Sequence, residues 1–138
     1  MNIILILYIT LILMLHLIPL GEGGTDRYDL GPLRADYLLH TMIFIPWMFL
    51  ISLTRENSSN SGLKIRFRRI TPLPFLGWMA LGILLAFGAE AIQYWIDYRA
   101  FNPMDGMFNA LGVVLGALVL VVAQRFGYLQ TEDNEQAK

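Results

Sequence analysis

Long apolar stretches separated by short polar segments dominate the pattern of this chain. The four stretches are residues 3–20, 37–53, 73–96 and 107–126. A helix of about 20 residues crosses the roughly 30 Å hydrocarbon layer of a bilayer, so each stretch is long enough to span it. The pattern therefore predicts an all-α, integral membrane four-helix bundle over residues 1–129. The polar tail at 130–138 has no apolar period and is predicted to be disordered.

Prolines support these boundaries. Pro72 and Pro74 stand at the start of the third stretch, where a missing backbone N–H costs little. Pro103 and Asp105 precede the fourth stretch and suit a turn followed by a capped helix N-terminus. Pro46 lies inside the second stretch and predicts a kink, which membrane helices tolerate.

The first stretch has a second interpretation, as a cleavable signal peptide. No Lys or Arg precedes it, and no small-x-small pattern follows Leu20. Both features are expected of a cleaved signal, so a retained membrane helix is favoured.

The charged residues are sorted between the connecting segments. The linker 54–71 carries five Lys or Arg and one Glu, whereas the segments 21–36 and 97–106 carry more acidic than basic residues. Lys and Arg are retained on the cytoplasmic side of a membrane. We therefore expect the linker and both termini to be cytoplasmic in a multi-pass membrane protein. The Asn-Ser-Ser-Asn-Ser-Gly run within the linker is expected to be flexible.

Composition narrows the class of protein further. The chain is 56% hydrophobic and 15% charged, with mean hydropathy +0.53. A net charge of −1 gives no basic footprint for nucleic acid. The absence of cysteine excludes disulfides, thiolate catalysis and Cys-ligated zinc. No cofactor can be named from the sequence.

Polar side chains interrupt or open the apolar stretches, and all fall in the half of the membrane predicted to face outward. They are Asp36, His40, Glu90, Gln93, Asp105 and Asn109. The spacings are i, i+4 or i, i+3, so each pair shares one face of its helix. An ionisable group among lipid tails is costly and normally has a partner or a function. We interpret these residues as one pocket that opens outward, with Glu90 as its most informative member.

Structural roles compete with this interpretation for the other residues. Asp36 is equally well explained as an N-cap of the second helix. Gln93 and Asn109 are also explained as hydrogen-bonding links between helices. His16, alone near a helix end, is interpreted as interfacial. Gly112-x-x-x-Gly116 favours close helix packing, either within one molecule or against a second copy.

Taken together, the constellation resembles the VanZ-like family of small bacterial membrane proteins. The resemblance rests on Asp36-x-x-x-His40, Glu90-x-x-Gln93, Arg99, Asp105-x-x-x-Asn109 and Gly112-x-x-x-Gly116, and residues 86–119 are similar throughout to the hallmark segment of the family. The family usually has Lys directly after the aspartate, where this chain has Tyr37. The resemblance implies the four-helix membrane fold given above and a location in the bacterial cytoplasmic (inner) membrane. It also implies a role related to glycopeptide resistance, since the family is named for a member associated with teicoplanin resistance.

Two classes of function fit these residues. In the first, the protein acts on membrane lipids or a lipid-linked envelope precursor. The catalytic residues would then be Glu90, His40, Asp36 and Asp105. The same four residues would be the ligands of any metal ion. Substrate binding would use Arg99, Gln93 and Asn109. In the second, the protein is a non-catalytic binding or accessory component of the envelope, with a membrane-protein partner or a second copy of itself. A transporter fits less well, because no polar residue continues the path through the inner half of the membrane.

Overall fold

The computed structural model describes residues 3–17, 29–30, 33–58, 62–68, 71–96 and 102–129. Helices dominate it, as the apolar stretches predict. In chain order the elements are α1 (Ile3–Leu17), β1 (Asp29–Leu30), β2 (Leu33–Arg34), α2 (Ala35–Phe44), α3 (Pro46–Ser52), β3 (Leu53–Ser58), β4 (Gly62–Phe67), α4 (Pro72–Gln93) and α5 (Pro103–Arg125). The predicted tail at 130–138 lies outside the described residues.

Prolines set the helix boundaries, with one correction. The second apolar stretch is divided at Ile45, directly before the predicted kink site Pro46, into α2 and α3, while Ile45 itself keeps helical backbone angles (φ −55°, ψ −43°). Helix α4 begins at Pro72, as expected. Helix α5 begins at Pro103, four residues earlier than its apolar stretch suggested. The reason is its cap: the Asn102 side chain accepts a hydrogen bond from the Met104 backbone N–H at 3.1 Å, so the helix starts before the apolar residues do.

Two strands that the sequence analysis did not predict flank the centre of the basic linker. Strands β3 and β4 pair antiparallel, from Leu53 opposite Phe67 to Ser58 opposite Gly62. The aromatic ring of Phe67 lies edge-to-face with Phe49 of α3, 6.4 Å between centroids, which anchors the hairpin to the helices. The helical class therefore holds for the apolar stretches. The run expected to be flexible has its centre, residues 59–61, outside the described residues.

Helix α5 lies at the centre of the helices and packs against α2, α3 and α4. Its glycines allow the closest approach. A Cβ atom on Gly112 would overlap the carbonyl oxygen of Thr41, and one on Gly116 would overlap that of Ile45. The Gly-x-x-x-Gly pair is thus used for packing within the molecule, against the bent α2–α3 segment.

Large apolar side chains cover the outside of the helices. Helices α4 and α5, with 22 and 23 residues, are long and apolar enough to cross a bilayer. Only 22% and 39% of their most apolar windows are buried, unlike the core helices of a soluble protein. Helix α1 has 15 described residues and is shorter. Exposed apolar surface of this extent is typical of a protein surrounded by lipid.

The helix ends fix where the polar residues meet. The last turn of α1 contacts the last turn of α4 through His16 and Glu90, and the start of α2 contacts the start of α5 through His40 and Asn109. His40 also lies near Glu90, which joins the two pairs. The same end of the helix assembly therefore gathers two helix C-termini and two N-termini.

Candidate functional site

A polar cluster occupies this end of the helices. It consists of His16, His40, Glu90, Asp105 and Asn109, contributed by α1, α2, α4 and α5. Four of the five were predicted from the sequence to share a pocket, and the structure brings them together. His16 is the addition.

Glu90 is at the centre of the cluster and is completely buried. Its Oε1 lies 3.3 Å from His16 Nε2 and 3.7 Å from His40 Nδ1. The same oxygen accepts a hydrogen bond of 3.2 Å from the side-chain amide of Asn109. The second oxygen, Oε2, is buried and has no hydrogen-bond partner among the described residues. Oε1 therefore has three polar neighbours, whereas Oε2 can still accept a hydrogen bond or bind a ligand.

His16 is only 3% exposed, so the interpretation of this residue as interfacial was wrong. Its Nδ1 lies 2.8 Å from the Ile12 carbonyl oxygen, one turn earlier in α1. A carbonyl can only accept, so Nδ1 carries a proton, and in the neutral ring Nε2 presents its lone pair toward Glu90 and Asn109. The Gln93 amide donates to the His16 carbonyl at 3.4 Å, which makes Gln93 a link between α4 and α1.

His40 lies between Asn109 and Asp105 of helix α5. Its Nδ1 is 3.0 Å from Asn109 Oδ1, and its Nε2 is 3.7 Å from Asp105 Oδ2. The ring packs edge-to-face against that of His16, with 5.4 Å between centroids. Both nitrogens of His40 therefore face polar groups of the cluster.

Asn109 and Asp105 organise the cluster from α5. Asn109 is fully buried; its amide donates to Glu90 and lies 3.3 Å from His16 Nε2. One side chain thus contacts groups on α1, α2 and α4. The Asp105 carboxylate accepts a bond of 2.9 Å from the amide of the capping residue Asn102, which fixes it in the first turn. A carboxylate at this position also suits the positive end of the helix dipole.

The two remaining predicted site residues are less fully described. Asp36 belongs to α2, one turn before His40, but its side chain lies outside the described residues. Arg99 also lies outside them, so its predicted contact with an anion stays a prediction.

A separate small cavity lies at the other end of the helices. It has a volume of about 50 Å³ and is lined by residues that include Met48, Ser52, Arg68, Trp78 and Leu120. Trp78 offers its carbonyl oxygen to the indole N–H of Trp47 at 2.9 Å. The cavity shares no lining residue with the polar cluster.

These features define a class of protein: helices with apolar exteriors that enclose a hydrogen-bonded cluster of two histidines, a glutamate and an asparagine. The chain belongs to the VanZ/LLP1 family, whose family model matches residues 5–124. This confirms the resemblance drawn from the sequence. No curated protein and no solved structure shows a significant match to the chain. The matched range includes every member of the polar cluster.

Proposed function

We propose that the chain is a four-pass protein of the bacterial cytoplasmic membrane, with the polar cluster in the outer half and both termini in the cytoplasm. The apolar exteriors of α4 and α5 support membrane insertion. The basic residues of the β3–β4 hairpin support the orientation, because they lie at the end away from the cluster. Reporter fusions after Lys138 should give a cytoplasmic signal. An extracytoplasmic signal would reverse the orientation and contradict the placement of the cluster.

The polar cluster acts, in this proposal, on a lipid or lipid-linked precursor of the cell envelope. The observation that carries the proposal is the buried Oε2 of Glu90, which no described residue satisfies. A buried acceptor without a partner costs about 1–3 kcal/mol, and more when it is charged. An unsatisfied buried polar group therefore needs an explanation, and a role in binding or catalysis is one such explanation.

The arrangement fits proton transfer. Glu90 Oε1 and His40 Nδ1 lie 3.7 Å apart, which is longer than a hydrogen bond, and a rotation of either side chain would bring them within reach for proton transfer. Asn109 holds both groups in place, because it contacts each of them. A lipid approaches such a site from within the membrane, with its polar headgroup at the level of the cluster. In this proposal Glu90 and His40 are the acid–base pair and Asn109 is their positioning residue.

The test compares Glu90→Gln with Glu56→Gln in cells that lack the wild-type protein. The first removes the carboxylate of the cluster, and the second makes the same chemical change in strand β3 at the other end of the protein. Lipids and lipid-linked precursors extracted from each strain are compared by mass spectrometry. We expect wild type and Glu56→Gln to give the same profile, and Glu90→Gln to accumulate an unconverted species. Equal protein levels and equal elution in size-exclusion chromatography serve as the folding control.

A non-catalytic binding role is the second candidate. It is favoured by the hydrogen bonds that His16 and Asn109 make with each other and with neighbouring groups of the protein, because such bonds also hold helices together. This candidate predicts that a lipid copurifies with the wild-type protein and not with Glu90→Gln, without any change in the lipid profile of the cells. If neither the profile nor the copurified lipid changes in a folded Glu90→Gln variant, both candidates are wrong.

A further inference from the structure

We propose that the polar cluster is a binding site for a divalent transition-metal ion of the zinc type. The ligands would be His16 Nε2, His40 Nδ1 and one carboxylate oxygen of Glu90. These three side chains offer ligand atoms that all lie within 4.8 Å of one another. The inference rests on the proposed function, because it concerns the same site. With the ion bound, Glu90 and His40 would be its ligands and not a direct acid–base pair. The test below does not depend on any lipid reaction.

The distances suit such an ion. Zinc bonds of about 2.0–2.1 Å in a tetrahedral site place neighbouring ligand atoms roughly 3.3 Å apart. The separation of His16 Nε2 from Glu90 Oε1 is 3.3 Å, and that of His40 Nδ1 from the same oxygen is 3.7 Å. The ligand atoms of the three side chains all lie within 4.8 Å of one another, so side-chain rotations that shorten the longer separations would bring them to one ion.

The partners of the second ring nitrogen in each histidine also favour metal binding. A metal-bound histidine usually donates its other ring N–H to a carbonyl or a carboxylate, which fixes the ring and its tautomer. His16 Nδ1 has such a partner in the Ile12 carbonyl at 2.8 Å. His40 Nε2 faces the Asp105 carboxylate at 3.7 Å. His40 Nδ1 also hydrogen-bonds Asn109 Oδ1 at 3.0 Å, so metal binding at Nδ1 replaces this contact and requires the ring proton to be on Nε2, where Asp105 can accept it.

Charge provides the independent argument. Glu90 is 0% exposed and His16 3%, so the site lies in a region without bulk water. A dication compensates the charge of a buried carboxylate, and the buried oxygen Oε2 without a hydrogen-bond partner shows that the described residues compensate this carboxylate only in part. Two histidines and one glutamate are also a donor set found in zinc sites that keep a fourth position open. On binding, the ion takes over the contacts that the Asn109 amide makes with Glu90 and His16.

The proposal is tested on the full-length protein in detergent, with the affinity tag removed and bound metals stripped by a chelator. Zinc binding is measured by calorimetry and by elemental analysis after gel filtration. We expect one Zn²⁺ per chain in wild type and in Glu56→Gln, and a loss of affinity of more than about 100-fold in His16→Gln and Glu90→Gln. Asp105→Asn, which changes only the partner of His40, should lose about 10- to 100-fold. Wild-type binding no stronger than that of folded Glu90→Gln would overturn the proposal.

A measurement on wild type alone covers the case in which the variants do not fold. X-ray absorption at the zinc edge of the loaded protein should show two imidazole ligands and oxygen ligands at about 2.0–2.1 Å. A spectrum without imidazole scattering would overturn the proposal. The two proposals also fail separately: a lipid change that needs Glu90 but persists without metal removes only the metal site. Zinc binding without any lipid effect removes only the proposed reaction.

Discussion

Replacing Gly116 with alanine should loosen the contact between α5 and the start of α3. The added Cβ would overlap the carbonyl oxygen of Ile45 and lie 3.0 Å from its carbonyl carbon. Both partners are backbone atoms of packed helices, so no side-chain rotation can relieve the overlap. The helices must instead separate by about 1 Å to restore a C···O distance near 3.3 Å.

The cost follows from that separation. A gap of about 0.5–1 Å removes a quarter to a half of the attraction between facing atoms. Overpacking of this kind costs about 1–3 kcal/mol, equivalent to a roughly 5- to 140-fold decrease in the folding equilibrium constant. Alanine has the better helix propensity by about 0.5–1 kcal/mol, which offsets part of the loss. We therefore expect a net destabilisation of about 0.5–2 kcal/mol.

The chain provides matched controls for this prediction in α4. A Cβ on Gly77 or Gly88 would meet nothing within 4 Å, so alanine there should be neutral or stabilising. The free energy of unfolding is measured for all three variants by SDS titration in mixed micelles, with helical circular dichroism as the signal. If Gly116→Ala is as stable as the two controls, the close approach of α5 to Ile45 is wrong.

Two further predictions use the same titration. Tyr8→Phe should lower the free energy of unfolding by about 1 kcal/mol, because the Tyr8 hydroxyl donates to the Ile43 carbonyl oxygen near the end of α2. An unchanged free energy of unfolding would show that this bond contributes nothing. Asn102→Ala should cost about 0.5–2 kcal/mol through the loss of the α5 cap, whereas Asn102→Ser, which keeps an acceptor for the Met104 N–H and adds no charge beside Asp105, should retain more of the stability. Equal losses in the two Asn102 variants would contradict the capping role.

Most of the polar cluster could be predicted because its members interrupt apolar helices. Glu90 and Asn109 stand out in α4 and α5, and their spacing from Gln93 and Asp105 defines one face of each helix. His16 could not be assigned in this way. Helix α1 is apolar on all sides, so its sequence gives no face that distinguishes inside from outside. One signal was available: His16 and Glu90 lie at corresponding positions near the ends of their stretches.

The sequence analysis also missed the start of α5 and the pairing of β3 with β4. The apolar pattern starts α5 too late, since it registers the hydrophobic residues and not the Asn102–Pro103 cap that begins the helix. The hairpin of the basic linker depends on pairing between residues such as Leu53 and Phe67, which are distant in sequence. A run of Ser, Asn and Gly indicates a turn or a flexible connection equally well. The choice between them depends on contacts that local sequence does not encode.

The contacts of Asn109 have a consequence for biosynthesis. This residue belongs to the last helix of the described chain, yet its side-chain amide forms hydrogen bonds with groups on α1, α2 and α4. His16, His40 and Glu90 are therefore synthesised before that partner. During this interval the nascent chain carries a carboxylate and two imidazoles whose common partner is missing. Chains that stop before α5 should consequently be degraded faster than the full-length chain, because this polar group stays without its common partner.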